Sequence, residues 1–173
     1  MTQTSPDSKT TANTPALVAA LADQLRARGW MMTTAESCTG GGIAAACTDL
    51  AGSSEWFERG FVTYSNEAKT ELLGVDAQQI AEHGAVSELV ARAMAHGAVR
   101  HSRARAAVAV TGVAGPTGGS AAKPVGTVWF GFMVDGRLSS ETCRFAGDRA
   151  AIRAATVRHA LARLIDKIEA NED

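Results

Sequence analysis

Strand-like and helix-like segments alternate through the first two thirds of the chain, and a β-hairpin follows. Ala106–Val110 is a short unbroken apolar run, the pattern of a strand covered on both faces. Asp135-Gly136, set between two strand-like runs, is the strongest short hairpin signal a sequence carries. Together these predict a single three-layer α/β/α domain in which a mixed β-sheet carries helices on both faces.

Each element has its own signal. Residues 1–13 are rich in Ser and Thr and nearly free of large apolar groups, so a disordered polar tail is expected there. The domain is expected over residues 14–170. Thr14-Pro15 reads as a cap followed by proline at the first helical position, and Leu17, Val18, Leu21 and Leu25 recur at helical spacing until Gly29. Trp30–Thr33 reads as a strand and residues 40–50 as a small, apolar helix. Arg59–Tyr64 is a second, aromatic strand. Ser65 or Asn66 caps a short helix over Glu67–Leu73, and Gly74 ends it. Asp76 caps another, which stops near Gly84. Ser87 caps a longer one running to about His101, with Leu89, Val90, Ala93, Met94 and Ala98 on one face. After the buried strand and its glycine-rich exit, Gly126–Val134 and Leu138–Phe145 form the hairpin. Asp148 caps the last helix, whose stripe is Ile152, Val157, Leu161, Leu164, Ile165 and Ile168.

Composition narrows the function classes. A chain of 173 residues with 46% hydrophobic and 20% charged residues is ordinary for a soluble globular domain. A net charge of −1 leaves no electrostatic footprint for nucleic acid or an anionic membrane. No apolar run is long enough to span a bilayer, and the first dozen residues lack the apolar core of a signal peptide. Cys38, Cys47 and Cys143 are scattered without metal-like spacing and read as reduced thiols. A cytoplasmic protein is expected.

The chemistry gathers at Thr34-Ala35-Glu36-Ser37-Cys38-Thr39-Gly40-Gly41-Gly42, a glycine-rich strand-to-helix turn. Such a turn lets backbone approach a ligand closely, and the amides opening the next helix suit an oxyanion. Ser37 is the candidate nucleophile. The alternative is a tight turn in which Ser37 or Thr39 merely caps the helix. Glu36 either hydrogen-bonds near the nucleophile or holds the turn. Lys69, in the first turn of its helix, sits where the helix dipole and partial burial both favour a neutral amine. The alternative is a surface lysine paired with Glu67 or Glu71. A second glycine-rich loop, Thr111–Ser120 with Lys123 behind it, suits a phosphate or carboxylate cradle. Tyr64 is placed to orient Lys69 or stack on a ring. Arg149 is placed at a helix start, where it is able to clamp an anion. No histidine shows a carboxylate partner in the sequence, which weakens a Ser-His-Asp triad, and Cys38 reads as a packed thiol.

Five stretches then add up. They are Ala35–Gly41, Gly60–Lys69, Gly84–Glu88, Thr111–Pro116, and Gly118–Ser120 with Lys123–Val128. In this order they closely resemble the C-terminal domain of the competence/damage-inducible CinA family, above all its stand-alone nicotinamide-nucleotide amidohydrolases. The resemblance runs from about residue 14 to residue 168. It implies deamidation of nicotinamide mononucleotide to nicotinic acid mononucleotide and ammonia, in pyridine-nucleotide salvage, without a metal or organic cofactor. It implies Ser37 as nucleophile and Lys69 as general base, with Tyr64 beside them. Thr39, Gly40, Gly41, Thr111, Gly112, Gly115 and Arg149 are then expected to bind substrate. It also implies a homo-oligomer. The pyrophosphatase domain of longer relatives has no counterpart in these residues. The competing reading is a non-catalytic module that binds a phosphorylated metabolite.

Overall fold

The computed structural model describes residues 12–172. Apart from Ala12 and Asn13, the polar tail expected over residues 1–13 lies outside them. Asn13 belongs to the fold: its side chain caps α1 (Thr14–Arg28), accepting from the Ala16 amide at 2.9 Å. The cap is therefore Asn13 rather than Thr14, and Pro15 sits one residue further in, where its missing N–H still costs nothing.

Five strands follow the expected order, interleaved with helices: β1 (Met32–Glu36), β2 (Phe57–Val62), β3 (Ala106–Gly112), β4 (Thr127–Val134) and β5 (Arg137–Arg144). They form one sheet in the order β2-β1-β3-β4-β5. The first three strands are parallel, and β3-β4-β5 are antiparallel, so the sheet is mixed as expected. Asp135 and Gly136, both at positive φ (48° and 83°), make the β4–β5 turn. Between the strands lie α2 (Gly42–Thr48), α3 (Asn66–Leu73), α4 (Ala77–His83) and α5 (Glu88–Arg100), and α6 (Arg149–Glu169) closes the chain.

The alternation of β3 divides the core. Ala106, Val108 and Val110 face α1, α2 and α6, where Leu21, Leu25, Ile43 and Leu161 are fully buried. Ala107 and Ala109 face the opposite layer, packed with Leu73, Ile80, Val90 and Met94 from α3, α4 and α5. This is the α/β/α arrangement. The buried face of α5 is rotated from the expected one: Leu89 is exposed, while Ala91 and Ala95 are buried beside Val90, Met94 and Ala98.

Two boundaries differ in a way that matters for chemistry. The first strand is shifted from Trp30–Thr33 to Met32–Glu36 and runs directly into Ser37. Similarly, β2 ends at Val62, and Thr63, Tyr64 and Ser65 form the turn before α3, with the Thr63 amide still donating to Glu36 O at 2.9 Å. The connections leaving β1 and β2 go to opposite faces of the sheet, α2 to one layer and α3 to the other. Neighbouring strands whose exits diverge in this way open a crevice at their carboxyl ends. No helix among the described residues is long and apolar enough to cross a membrane.

Candidate active site

The crevice holds a cavity of about 310 Å³ lined by residues of five segments, among them Ala85 and Val86 of the α4–α5 connection. Ser37 and Cys38 come from the exit of β1, and Tyr64, Asn66 and Lys69 from the turn and first helical residues after β2. Thr111, Gly112 and Gly115 come from the exit of β3, and Arg149 from the start of α6.

Ser37 continues the ladder for one bond, its amide donating to Val110 O at 3.1 Å, and then the chain turns. The turn needs its glycines: Gly40 and Gly41 lie at φ 59° and 99°, in the left-handed region that side chains disfavour. Glu36 is the anchor. Its buried carboxylate accepts from Thr39 Oγ1 at 2.6 Å, the Ile43 amide at 2.8 Å and the Ala44 amide at 2.9 Å. A carboxylate at the opening of α2 satisfies two of the helix's orphan donors and complements its dipole. Of the two roles open to Glu36, the geometry is that of holding the turn.

Lys69 is buried rather than solvated. The Ser65 hydroxyl caps α3, and this start directs the lysine side chain inward under the β2–α3 turn. Its Nζ lies 3.0 Å from Ser37 Oγ and 2.8 Å from Thr63 O, with Tyr64 O at 3.3 Å and Ser65 O at 3.5 Å. Burial pushes the amine below the usual lysine range, and the neighbouring Cys38 opposes this only in part. A neutral amine has two hydrogens and one lone pair. In that form the Thr63 and Tyr64 carbonyls are placed to accept both hydrogens, which would free the lone pair for Ser37 Oγ. Cys38 itself is no rival nucleophile, because burial pushes its thiol up to about 11.

Tyr64 presents its ring to solvent, and its hydroxyl accepts from Arg149 Nη2 at 3.1 Å. Arg149 Nη1 donates to Gly115 O at 2.9 Å, so one guanidinium spans the cavity from the β2 exit to the glycine-rich loop. Thr111 is held by its own bond to Ala85 O at 2.9 Å. The structure thus brings Ser37, Lys69, Tyr64, Thr111, Gly112, Gly115 and Arg149 to one cavity. Thr39, Gly40 and Gly41 lie outside its lining: the Thr39 hydroxyl is turned to Glu36, and the two glycines shape the bend. Lys123 is also elsewhere, donating to His83 O at 2.7 Å at the end of α4.

Three features were missed in the sequence. Asn66 lines the cavity beside Tyr64. Arg153 reaches the Ser37 turn from α6, donating to Cys38 O at 3.1 Å and Thr39 O at 3.0 Å. His159 does have a carboxylate partner, Glu141 at 2.8 Å, but the pair joins α6 to β5, outside the lining of the Ser37 cavity.

The fold and this site define an α/β domain that sets a serine and a buried lysine at a strand-to-helix turn. The chain belongs to the CinA C-terminal domain family, whose model matches residues 14–168. It is 60% identical over 130 residues to the nicotinamide-nucleotide amidohydrolase PncC of Enterobacter agglomerans, covering 75% of this chain and 79% of that protein. To the PncC of Escherichia coli K12 it is 56% identical over 140 residues, covering 79% and 84%. Among solved structures, it is similar to the competence damage-inducible protein A of Klebsiella pneumoniae at a TM-score of 0.88 and 44% identity, covering 91% of this chain and 98% of the other. It is also similar to the competence/damage inducible protein CihA of Agrobacterium tumefaciens at 0.85 and 46%, covering 96% and 98%.

Proposed function

We propose that this protein hydrolyses the carboxamide of nicotinamide mononucleotide, with Ser37 as nucleophile and Lys69 as general base. The names of its PncC relatives, nicotinamide-nucleotide amidohydrolases, support the reaction class and the nucleotide substrate. The observation that carries the mechanism is the buried Lys69 amine, 3.0 Å from Ser37 Oγ and backed by the Thr63 carbonyl.

Neutral Lys69 accepts the Ser37 proton as Oγ attacks the carboxamide carbon. The tetrahedral adduct collapses with cleavage of the C–N bond, and Lys69 returns the proton to the leaving nitrogen, which departs as ammonia. Water, deprotonated by Lys69, then cleaves the acyl ester, releasing nicotinic acid mononucleotide and restoring Ser37. This is triad logic with lysine in the place of histidine. Backbone amides of the nucleophile turn stabilise the oxyanion. The amides of Ile43 and Ala44 are not available for this, because Glu36 accepts both. Arg149, whose guanidinium has no carboxylate partner among the described residues, takes the substrate phosphate.

Ammonia release from nicotinamide mononucleotide, compared between wild type and Ser37→Ala, is the test. Release that disappears in the folded variant supports the reading. Equal release from both overturns Ser37 as nucleophile, and nucleotide binding without any release replaces the enzyme with a binding module.

A further inference from the structure

The peptide units after Ser37 are held from two sides by opposite charges. Glu36 accepts from donors of the turn, namely the Thr39 hydroxyl and the Ile43 and Ala44 amides. Arg153 donates to its acceptors, Nε to Cys38 O at 3.1 Å and Nη2 to Thr39 O at 3.0 Å. Arg153 forms no ion pair with a carboxylate among the described residues, so its fork is committed to these two carbonyls. Two bonds from one rigid, planar group to consecutive carbonyls fix the orientation of both peptide planes.

A peptide unit is planar and trans, so its N–H points opposite its C=O. With Cys38 O turned to Arg153, the Thr39 amide points away from α6. Ser37 O accepts from the Gly40 amide at 3.0 Å, which turns the Cys38 amide the other way. Neither the Cys38 nor the Thr39 amide meets a carbonyl or carboxylate among the described residues; the Cys38 amide has only its own thiol, a weak acceptor that an oxyanion would displace. The amide directly after a nucleophile is where a strand-to-helix serine places its oxyanion donor.

We infer that Arg153 is a positioning residue for the reaction, locking the peptide planes after Ser37 so that the amides of Cys38 and Thr39 stay aimed at the developing oxyanion. The inference rests on the Ser37–Lys69 reading of the site. Arg153 touches neither substrate nor reacting atoms; it acts through the turn. Its partner on the same helix face is Arg149, four residues earlier, which reaches the cavity itself.

The experiment uses two readouts on wild type, Arg153→Met and Arg153→Lys. The first is kcat and KM for nicotinamide mononucleotide. The second is the rate at which diisopropyl fluorophosphate labels Ser37, followed by mass spectrometry. In that reaction the Oγ–P bond forms, the P–F bond breaks, fluoride leaves and Lys69 takes the serine proton. Loss of positioning predicts a fall of about tenfold to a hundredfold in kcat and in labelling rate for Arg153→Met, with KM changed less than threefold. Arg153→Lys, which keeps the charge but reaches one carbonyl at most, is expected to recover part of both.

A folded Arg153→Met labelled as fast as wild type overturns the inference, and so does a change in KM alone. Where Arg153→Met does not fold, Arg153→Lys decides, with wild-type rates again overturning it. If wild type is labelled at Ser37 but releases no ammonia, the substrate reading fails and the labelling rates still judge Arg153. If wild type is not labelled, the activated turn and the inference fall together.

Discussion

Lys69 Nζ and Ser37 Oγ, 32 residues apart in the chain, lie 3.0 Å from one another, with the lysine sealed from solvent. The carbonyls of Thr63, Tyr64 and Ser65 line the other side of the amine, so its reach and direction are fixed by the β2–α3 turn rather than by a flexible tether. Desolvation disfavours the charged form, and this gives the first prediction.

Activity is expected to rise with pH as Lys69 loses its proton, reaching its plateau below the ordinary lysine range, because burial lowers the native pKa. Stability follows the same sign. The unfolded chain binds more protons than the native one between the lowered native pKa and the ordinary lysine value of 10.5, so stability rises with pH through that window. Lys69→Met removes the proposed base and should lower kcat by about 10²–10⁴-fold. It should also abolish this part of the stability profile. A pH–rate profile with parallel denaturation curves checks both, and full activity in Lys69→Met rules out the lysine as base.

Glu36→Gln tests the anchor of the turn. The amide presents one acceptor where the carboxylate met three donors, and its NH2 faces N–H groups. A stability loss of about 2–3 kcal/mol is expected, of the size of hydrogen bonds to a buried charge. The matching fall in melting temperature is about 4–12 °C for a domain of this size. Thermal melts of the two proteins measure it, and an unchanged melting temperature refutes the anchoring role.

Much of this site was legible in the sequence, and the reasons differ by residue. The glycine-rich turn around Ser37 announces itself because Gly40 and Gly41 sit at positive φ, where few other residues are tolerated. The strand before it was placed two residues early. Its later positions, Thr33, Thr34 and Glu36, are polar, and burial inside the fold hid them from any hydropathy pattern. Position on α3 could not distinguish a buried Lys69 from a surface one, because the deciding partners are the carbonyls of a turn whose path is set by where β2 ends. Helix-opening amides looked free for an oxyanion until Glu36 was seen to accept them. Arg153 did leave a trace: it follows Arg149 by four residues, which puts both on one face of α6. What that face meets depends on the packing of α6 against α2, and no local pattern encodes it.

Arg149 is the cation that bridges Gly115 and Tyr64 across the cavity. If it takes the substrate phosphate, Arg149→Ala should raise KM for nicotinamide mononucleotide about tenfold to a hundredfold, the worth of a lost charge-assisted pair. Arg149→Lys should recover only part, since a lysine lacks the fork that holds two oxygens at once. The riboside without its phosphate discriminates: its turnover should be nearly equal in wild type and Arg149→Ala. An effect of the same size on both substrates would assign Arg149 to the architecture of the cavity instead.

The last prediction concerns the outer end of the sheet, where His159 Nε2 lies 2.8 Å from Glu141 and the Arg163 guanidinium grips both oxygens of the same carboxylate. Burial raises the Glu141 pKa and lowers that of His159, but the hydrogen bonds and charges of the cluster prevail in both. They hold Glu141 down to about 2 and lift His159 to about 9. The carboxylate's contribution is present above the ordinary glutamate value of 4.5 and is lost as pH falls through about 2. The imidazolium's contribution is complete below 6.5 and disappears as pH rises through about 9. The Glu141–His159 contact is common to both shifts, while Cys143 Sγ, 3.3 Å from Nε2, also lifts the imidazole and Arg163 also holds the carboxylate down. The two contributions thus overlap and do not simply add. Subtracting the stability of His159→Gln from that of wild type should therefore give a plateau of about 2 kcal/mol between pH 4.5 and 6.5, falling on either side. Urea titrations from pH 3 to pH 9.5, roughly one pH unit apart, trace that curve. A difference that stays level from pH 6 to about pH 9 would mean that His159 stabilises the domain through its rings of contact with Phe130 and Phe145 and not through its charge.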